Sequence, residues 1–234
     1  IMRDSYGEDI HAIHVGDQEL YHRLLRLIQL RKDIPESKLH FYTGERSMMR
    51  EYNITPLVYD SARPVVPLEN GGYLVIEPTE AMTVVDVNTG SYVGENSLEE
   101  TVFAVNLAAA EEIARQVRLR NIGGIIVVDF IDMLDEAHRE AVTEKLREKL
   151  ALDKTKCNVL PMSELCVTQF TRKRVGYDNR SYLVKPCPYC EGRSYVHEDQ
   201  FVITRLRADI LDRFAAGHNT AIVELDDGIM RKIF

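Results

Sequence analysis

The sequence predicts a mixed α/β protein, because short segments with the two-residue period of β-strands alternate with longer segments with the period of α-helices. Hydrophobic residues make up 45% of the 234 residues and charged residues 28%, which is typical of a folded globular chain. A chain of this length forms one large domain or two small ones, and its core needs neither a disulfide nor a metal. We therefore expect a soluble, folded protein.

The composition also bears on where the protein works. The longest uncharged apolar run, Ile122–Val128, is far shorter than the ~18 residues of a membrane-spanning helix, and the N-terminus has no secretory signal pattern. Four cysteines are too few for a disulfide scaffold. These features predict a cytoplasmic protein. Because the chain begins with Ile1 and not with methionine, we also expect it to be a piece of a longer protein.

The first predicted unit is a strand, a helix and a second strand. Asp17 is a suitable N-cap for a helix in which Leu20, Leu24 and Ile28 recur at helical spacing. Strands are predicted at Ala12–Val15 and Leu39–Tyr42, and a short helix at Arg46–Tyr52.

Three short strands follow each other next. The dipeptide Asn70-Gly71 is well suited to a tight hairpin turn, and Pro78 marks a second turn. The strands are predicted at Val65–Leu68, Tyr73–Ile76 and Thr83–Val87. This succession predicts an antiparallel meander.

The remaining elements include one long helix. Ser97 and Glu100 form a capping box, and apolar residues then mark one face of the helix up to a stop at Asn121–Gly124. The apolar run Ile125–Val128 predicts a strand buried on both faces. Further predictions are a helix at Glu136–Leu152, strands at Asn158–Leu160 and Val167–Val175, a helix from Phe201 to Phe214, and a last strand at Thr220–Leu225.

Two acidic residues, Asp86 and Asp129, stand where apolar strands end. A carboxylate on a buried strand is costly unless it is paired or binds a metal, so two of them on neighbouring strands need an explanation. Each alone could simply cap a strand end. Together they form a platform for Mg²⁺, which takes one or two protein carboxylates and leaves its other positions to water and phosphate.

Three further polar residues lie near this pair in the sequence. Asn88 shares the strand face of Asp86 and could bind an oxyanion or orient a water, although an Asx turn before Thr89-Gly90 is the better explanation from the residues alone. Asp132 and Asp135 could join the metal, but at the start of a helix they are better explained as N-caps.

Cys187 and Cys190 form a Cys-x-x-Cys knuckle, which is typical of half a tetrahedral Zn²⁺ site. The other half could come from the same knuckle of a second chain, across a two-fold axis. It could also come from Cys157 and Cys166, although a small buried side chain is the simpler interpretation of each. A redox role is less well supported, because Glu191-Gly192-Arg193 follows the knuckle where a thioredoxin-like motif would begin a helix.

The net charge of −8 argues against a nucleic-acid partner, but the charge is unevenly distributed. The segment Thr171–Lys185 carries five cations against one acid, Asp178. Its basic strip, Arg172, Lys173 and Arg174, could contact RNA or could be an ordinary solvated strand face.

Several segments, taken together, resemble the catalytic region of the ribonuclease E/G family in order and spacing. They are Gly71–Glu77, Thr83–Gly90, Asn106–Gln116, Gly123–Met133 and Cys187–Cys190. The resemblance extends over essentially the whole chain. It implies an endoribonuclease that cleaves single-stranded RNA in bacterial rRNA processing and mRNA decay and leaves a 5′ phosphate.

The resemblance also implies roles for individual residues. It assigns a catalytic Mg²⁺ to Asp86 and Asp129, with Asn88 assisting at the scissile phosphate. It also implies that Cys187 and Cys190 share Zn²⁺ with a second protomer and that the resulting homodimers pair into homotetramers. The basic strip would lie beside the catalytic cleft and contact RNA.

The same resemblance predicts the domain organisation. It implies an RNase H-like portion at residues 1–61, a DNase I-like catalytic subdomain at 62–186, a zinc knuckle at 187–194 and a partial small domain at 195–234. The family's S1 and 5′-sensor parts would precede the present residues. The chain departs from the family at Glu164 and Cys166, where a basic residue and a glycine are usual, and at Ser194, where the knuckle usually ends in glycine. A scaffold module that dimerises through zinc with little activity is the alternative function.

Overall fold

A small parallel β-pair opens the described chain. The computed structural model describes residues 10–31, 34–90 and 98–233. Strand β1 (Ile13–Val15) pairs with β2 (Leu39–Phe41), and helix α1 (Gln18–Arg31) connects them and packs on them through Ile28. The Asp17 carboxylate accepts a hydrogen bond from the Leu20 N–H at 2.7 Å, which confirms the predicted N-cap.

Two short helices follow this unit, where the sequence predicts a single one. They are α2 (Met48–Glu51) and α3 (Ile54–Asp60). Asn53, in the left-handed conformation with φ 51°, separates them. Asparagine tolerates that conformation better than most residues, so the chain turns here and starts a second helix.

The main sheet has six strands, with the order β3-β4-β5-β6-β8-β7. The strands are β3 (Val65–Pro67), β4 (Tyr73–Pro78), β5 (Met82–Asn88), β6 (Gly124–Asp129), β7 (Cys157–Val159) and β8 (Val167–Arg172). Strands β3, β4 and β5 are antiparallel, which confirms the predicted meander. The pair β5 and β6 is parallel, because a helix crosses over between them, and β8 is antiparallel to β6.

Two helices cover one face of this sheet. They are α4 (Leu98–Leu119) and α5 (Glu136–Ala151), close to the predicted bounds. Their apolar sides pack on alternate residues of the strands, such as Val85, Ile126 and Phe170, which are almost completely buried. Ser97 of the predicted capping box lies outside the described residues.

The other face of the sheet is open to solvent, and this corrects the prediction for β6. Ile125 on this face is 46% exposed, whereas its neighbour Ile126 is fully buried. The strand is therefore buried on one face only, because both long helices lie on the same side of the sheet. An apolar run could not distinguish these arrangements, since it contains no polar residue to mark the open face.

The chain divides into two compact units, Ile1–Val184 and Lys185–Phe234. The first ends with the short helix α6 (Arg180–Leu183); the second contains α7 (Asp199–Ala215) and α8 (Asp227–Ile233). The predicted strand at Thr220–Leu225 is wrong: this segment has no regular structure, and Ile222 is 94% exposed. A β-branched run needs a neighbouring strand, and the described part of this unit has none. No helix among the described residues is long and apolar enough to cross a membrane.

Candidate functional site

Asp86 and Asp129 lie side by side at one edge of the sheet. They are partners in the parallel register of β5 and β6, and adjacent strands are separated by about 4.8 Å. Each residue is at or near the carboxyl end of its strand, the edge at which ligands bind in open α/β sheets. The structure therefore brings together the two carboxylates that the sequence singled out.

Both carboxylates are exposed on the open face, which corrects the premise that they are buried. They need no partner to offset desolvation. The argument for a site rests instead on their register, since two acidic side chains on adjacent strands point to the same side and repel each other until a cation neutralises them.

Asn88 takes part in this arrangement. Its Nδ2 donates a hydrogen bond to Oδ2 of Asp86 at 2.8 Å, so it orients one carboxylate of the pair. The turn before β4 approaches closely: a Cβ on Gly72 would lie 2.8 Å from the carbonyl oxygen of Asn88. Glycine at this position lets the turn pack against the end of β5.

The donor set fits Mg²⁺. Two carboxylates and one amide oxygen are hard oxygen donors, and Mg²⁺ is commonly held by only one or two protein carboxylates. Among residues 10–31, 34–90 and 98–233, no group of three or more His, Cys, Asp or Glu side chains is arranged to hold a metal. A site here would therefore consist of this pair, with water and substrate completing it.

Asp132 and Asp135, which follow β6, lie outside the carboxylate pair. The Asp135 carboxylate accepts a hydrogen bond from the Ala137 N–H at 2.8 Å and so caps α5, in agreement with the N-cap interpretation. Asp132 is exposed in the loop between β6 and α5.

The basic strip lies at the opposite end of the sheet from the carboxylates. Arg172 is the register partner of Gly124, five residues before Asp129 on β6, which corresponds to about 17 Å. Lys173 and Arg174 follow and are exposed. The strip therefore lies away from the carboxylate pair along the sheet, not next to it. Neighbouring strands fix both positions, whereas the sequence did not show at which end of the sheet each lies.

Arg172 differs from the other two basic residues because it is buried. Its guanidinium donates to Oδ2 of Asp153 at 2.7 Å and to the carbonyl oxygen of Ile122 at 3.0 Å, and both charged side chains are under 10% exposed. Burial raises the pKa of Asp153, but hydrogen bonds from Arg172 and Thr155 outweigh it and hold the pKa below its usual range. These bonds argue against RNA contact by Arg172.

The knuckle presents two thiols. Cys187 is exposed and Cys190 half-buried. Backbone N–H groups of Ser194 and Gly192 donate towards Cys190 and lower the pKa of its thiol, which favours the thiolate that a metal binds. Ser194 takes the left-handed conformation, φ 64°, in which glycine is common.

Cys157 and Cys166 cannot complete a metal site together. Cys157 is the register partner of Arg172 at one end of β8, and Cys166 immediately precedes the other end, about 20 Å away. Cys157 is half-buried and burial raises the pKa of its thiol; Cys166 is fully buried. Both fit the interpretation as small core residues.

Sequence reasoning missed Asn106, which is fully buried in α4 and bonded to the loop after Asp129. The available signal was its place on the apolar face of the predicted helix, between Val102 and Ala109. A polar side chain at such a position needs hydrogen-bonding partners from another element.

Comparison with known proteins places the chain in a family. The profile of the Ribonuclease E/G family matches residues 1–175. The chain is 37% identical to Ribonuclease G of Escherichia coli K12, over 96% of the chain and 47% of that relative. It is 35% identical to Ribonuclease G of Haemophilus influenzae, over 90% and 43%, and 39% identical to Ribonuclease E of a Nostoc species, over 82% and 28%.

The chain is an α/β protein with a carboxylate pair at one edge of its sheet, and the relatives it matches are ribonucleases by name. The chain belongs to the Ribonuclease E/G family. It spans about half the length, or less, of the curated relatives it matches.

Proposed function

We propose that this chain is the catalytic part of a Mg²⁺-dependent endoribonuclease that cleaves single-stranded RNA in RNA processing and decay. The observation that carries the proposal is the in-register pair Asp86 and Asp129 at the open edge of the sheet. Family membership supports it, since the relatives are ribonucleases by name.

Each residue of the site has a defined task in this proposal. Asp86 and Asp129 would hold Mg²⁺, and Asn88 keeps the Asp86 carboxylate oriented through its 2.8 Å hydrogen bond. When bound, Mg²⁺ supplies charge stabilisation at the phosphate and a water of lowered pKa. Hydrolysis adds water to phosphorus, breaks the bond to the 3′ oxygen and leaves a 5′ phosphate on the downstream product.

We include RNA contact by Lys173 and Arg174 in the proposal and exclude RNA contact by Arg172. Lys173 and Arg174 are exposed and follow β8 at the end of the sheet remote from the carboxylates. A single strand that reached from Asp129 to Lys173 would have to span about 20 Å. These cations would therefore bind phosphates several nucleotides from the cut.

We also propose that Cys187 and Cys190 share Zn²⁺ with the same pair of a second chain. Zinc needs four ligands, and one knuckle offers two thiolates. The separation of Cys157 from Cys166 supports a shared site, because these cysteines cannot jointly provide the other two. The site would link protomers into a homodimer, which could pair further into a tetramer.

The test of the enzymatic proposal compares Asp86→Asn and Asp129→Asn with the matched control Asp132→Asn. A fluorescent, single-stranded, A/U-rich RNA oligomer is incubated at low salt with increasing Mg²⁺. We expect the first two variants to lose most of the cleavage while unfolding at the wild-type temperature, because both carboxylates are exposed. The control should cleave as wild type. Full activity in either pair variant would refute the proposal.

A second candidate function is a zinc-linked scaffold with little activity. The net charge of −8 favours it, since an acidic chain binds RNA weakly. Zinc-dependent dimerisation without any Mg²⁺-dependent turnover in the same assay would select this function.

A further inference from the structure

The segment after Asp129 is irregular, although it directly follows a residue of the proposed site. Strand β6 ends at Asp129, and α5 begins at Glu136 after its N-cap Asp135. The last residue of a strand frays unless the following backbone is held. What holds Phe130–Leu134 therefore determines how firmly Asp129 is placed.

Asn106 holds the centre of this segment. Its side chain, fully buried in α4, donates from Nδ2 to the carbonyl oxygen of Ile131 at 2.8 Å and accepts from the Ile131 N–H at 3.1 Å. One amide side chain thus gives Ile131 the donor and acceptor that a neighbouring strand would supply. An amide side chain carries both a donor and an acceptor, whereas a carboxylate can only accept and a hydrocarbon side chain can do neither.

Cys166 holds this segment both before and after Ile131. Its carbonyl oxygen accepts from the Phe130 N–H at 3.2 Å, and its Sγ accepts from the Met133 N–H at 3.1 Å. Cys166 is fully buried and adopts the left-handed conformation, φ 56°. That backbone geometry is unfavourable for a residue with a side chain, and the bond from Met133 to sulfur helps to offset it.

We infer that Asn106, supported by Cys166, is a positioning residue for Asp129. The inference rests on the proposed function: two anchors from different elements fix the backbone that follows the carboxylate, so Asp129 stays in register with Asp86 when a divalent cation binds. Residues that orient ligands in this way typically change metal affinity about 10–100-fold when replaced.

The experiment measures Mn²⁺ affinity of the full chain by electron paramagnetic resonance and amide hydrogen exchange by NMR. The variant is Asn106→Leu, which removes both bonds to Ile131 and keeps a side chain branched at Cγ. The matched control is Val117→Ala, which weakens the same helix three turns away. We expect Asn106→Leu to bind Mn²⁺ about tenfold more weakly and to exchange the Ile131 amide faster. The control should keep wild-type affinity even though its unfolding temperature falls.

The outcomes separate this inference from the function on which it rests. Wild-type Mn²⁺ affinity in Asn106→Leu would overturn the positioning role alone. Wild-type affinity in Asp129→Asn would overturn the proposed metal site and the inference with it. If Asn106→Leu does not fold, Cys166→Ala is the test, because it removes only the sulfur; a loss of affinity that Cys166→Ser restores supports the inference, and an unchanged affinity refutes it.

Discussion

Replacing Arg172 by alanine should destabilise the protein strongly, although the sequence groups this residue with two surface cations. The side chain donates to Asp153 at 2.7 Å, to the carbonyl oxygen of Ile122 at 3.0 Å and to Oδ1 of Asn121 at 3.1 Å. The Asp153 side chain is only 8% exposed, so the variant leaves a buried charge without its partner. Breaking such a pair costs about 3–5 kcal/mol, a large part of the ~5–15 kcal/mol that stabilises a typical domain.

Urea denaturation followed by circular dichroism measures this effect. With an m-value of about 3 kcal/mol/M, the expected loss lowers the midpoint by about 1 M or more. Lys173→Ala is the matched control, because this neighbouring cation is exposed, and its free energy of unfolding should stay within about 0.5 kcal/mol of wild type. The double variant Arg172→Met with Asp153→Leu should recover most of the loss, since it removes both charges.

The pH dependence gives an independent check. Burial raises the pKa of Asp153, but the hydrogen bonds from Arg172 and Thr155 hold it below its usual range, so the pair stabilises the folded state fully above the pKa of an unfolded aspartate, about 3.9. The contribution is lost as the pH falls below that value and through the folded-state pKa. The difference in the free energy of unfolding between wild type and Arg172→Ala should therefore become smaller in acid. If Arg172→Ala lost less than about 1 kcal/mol of unfolding free energy at neutral pH, no more than Lys173→Ala, the reasoning would be refuted.

Three other predictions concern binding, zinc and the core. Lys173→Ala with Arg174→Ala should reduce the salt slope of RNA binding by about one for each phosphate that the variant no longer binds; an unchanged slope would make these residues an ordinary solvated surface. Metal analysis should find half a zinc per chain, and Cys187→Ser should yield zinc-free monomers; a zinc-loaded monomer would exclude the shared site. Leu74→Ala, at a fully buried position, should cost about 2–5 kcal/mol, whereas Leu134→Ala, at an 88% exposed position, should cost under about 0.5 kcal/mol.

Local patterns were sufficient for most of the elements and for the carboxylate pair. Asn70-Gly71 fixes a turn by its own backbone preferences, and the strands on both sides alternate with a clear period. The apolar residues that recur at helical spacing from Val102 to Val117 likewise predict the buried face of the helix. Asp86 and Asp129 could be paired because each follows an apolar strand, and the crossover helix between them makes those strands parallel neighbours.

The features that sequence reasoning missed depend on contacts between distant residues. Arg172 and Lys173 are adjacent cations of the same type in the sequence, but strand alternation places the first on the closed face, opposite Asp153. Asn106 meets its partner Ile131 across 25 positions of the chain. The wrong strand at Thr220–Leu225 has the same origin: its composition suits a strand, but no edge is available to pair with it in the described part of its unit.

The exposure of the carboxylate pair is itself informative about how the site could work. Two unit charges about 5 Å apart repel by only ~0.8 kcal/mol in water, so the empty pair costs the free protein little. The balance would change if RNA covered the site as proposed, because the phosphate would bring a third negative charge and exclude the water that screens the other two. At an effective dielectric constant near 20 each such repulsion grows to about 3 kcal/mol. In the proposed function, a divalent cation held between Asp86 and Asp129 would remove that obstacle.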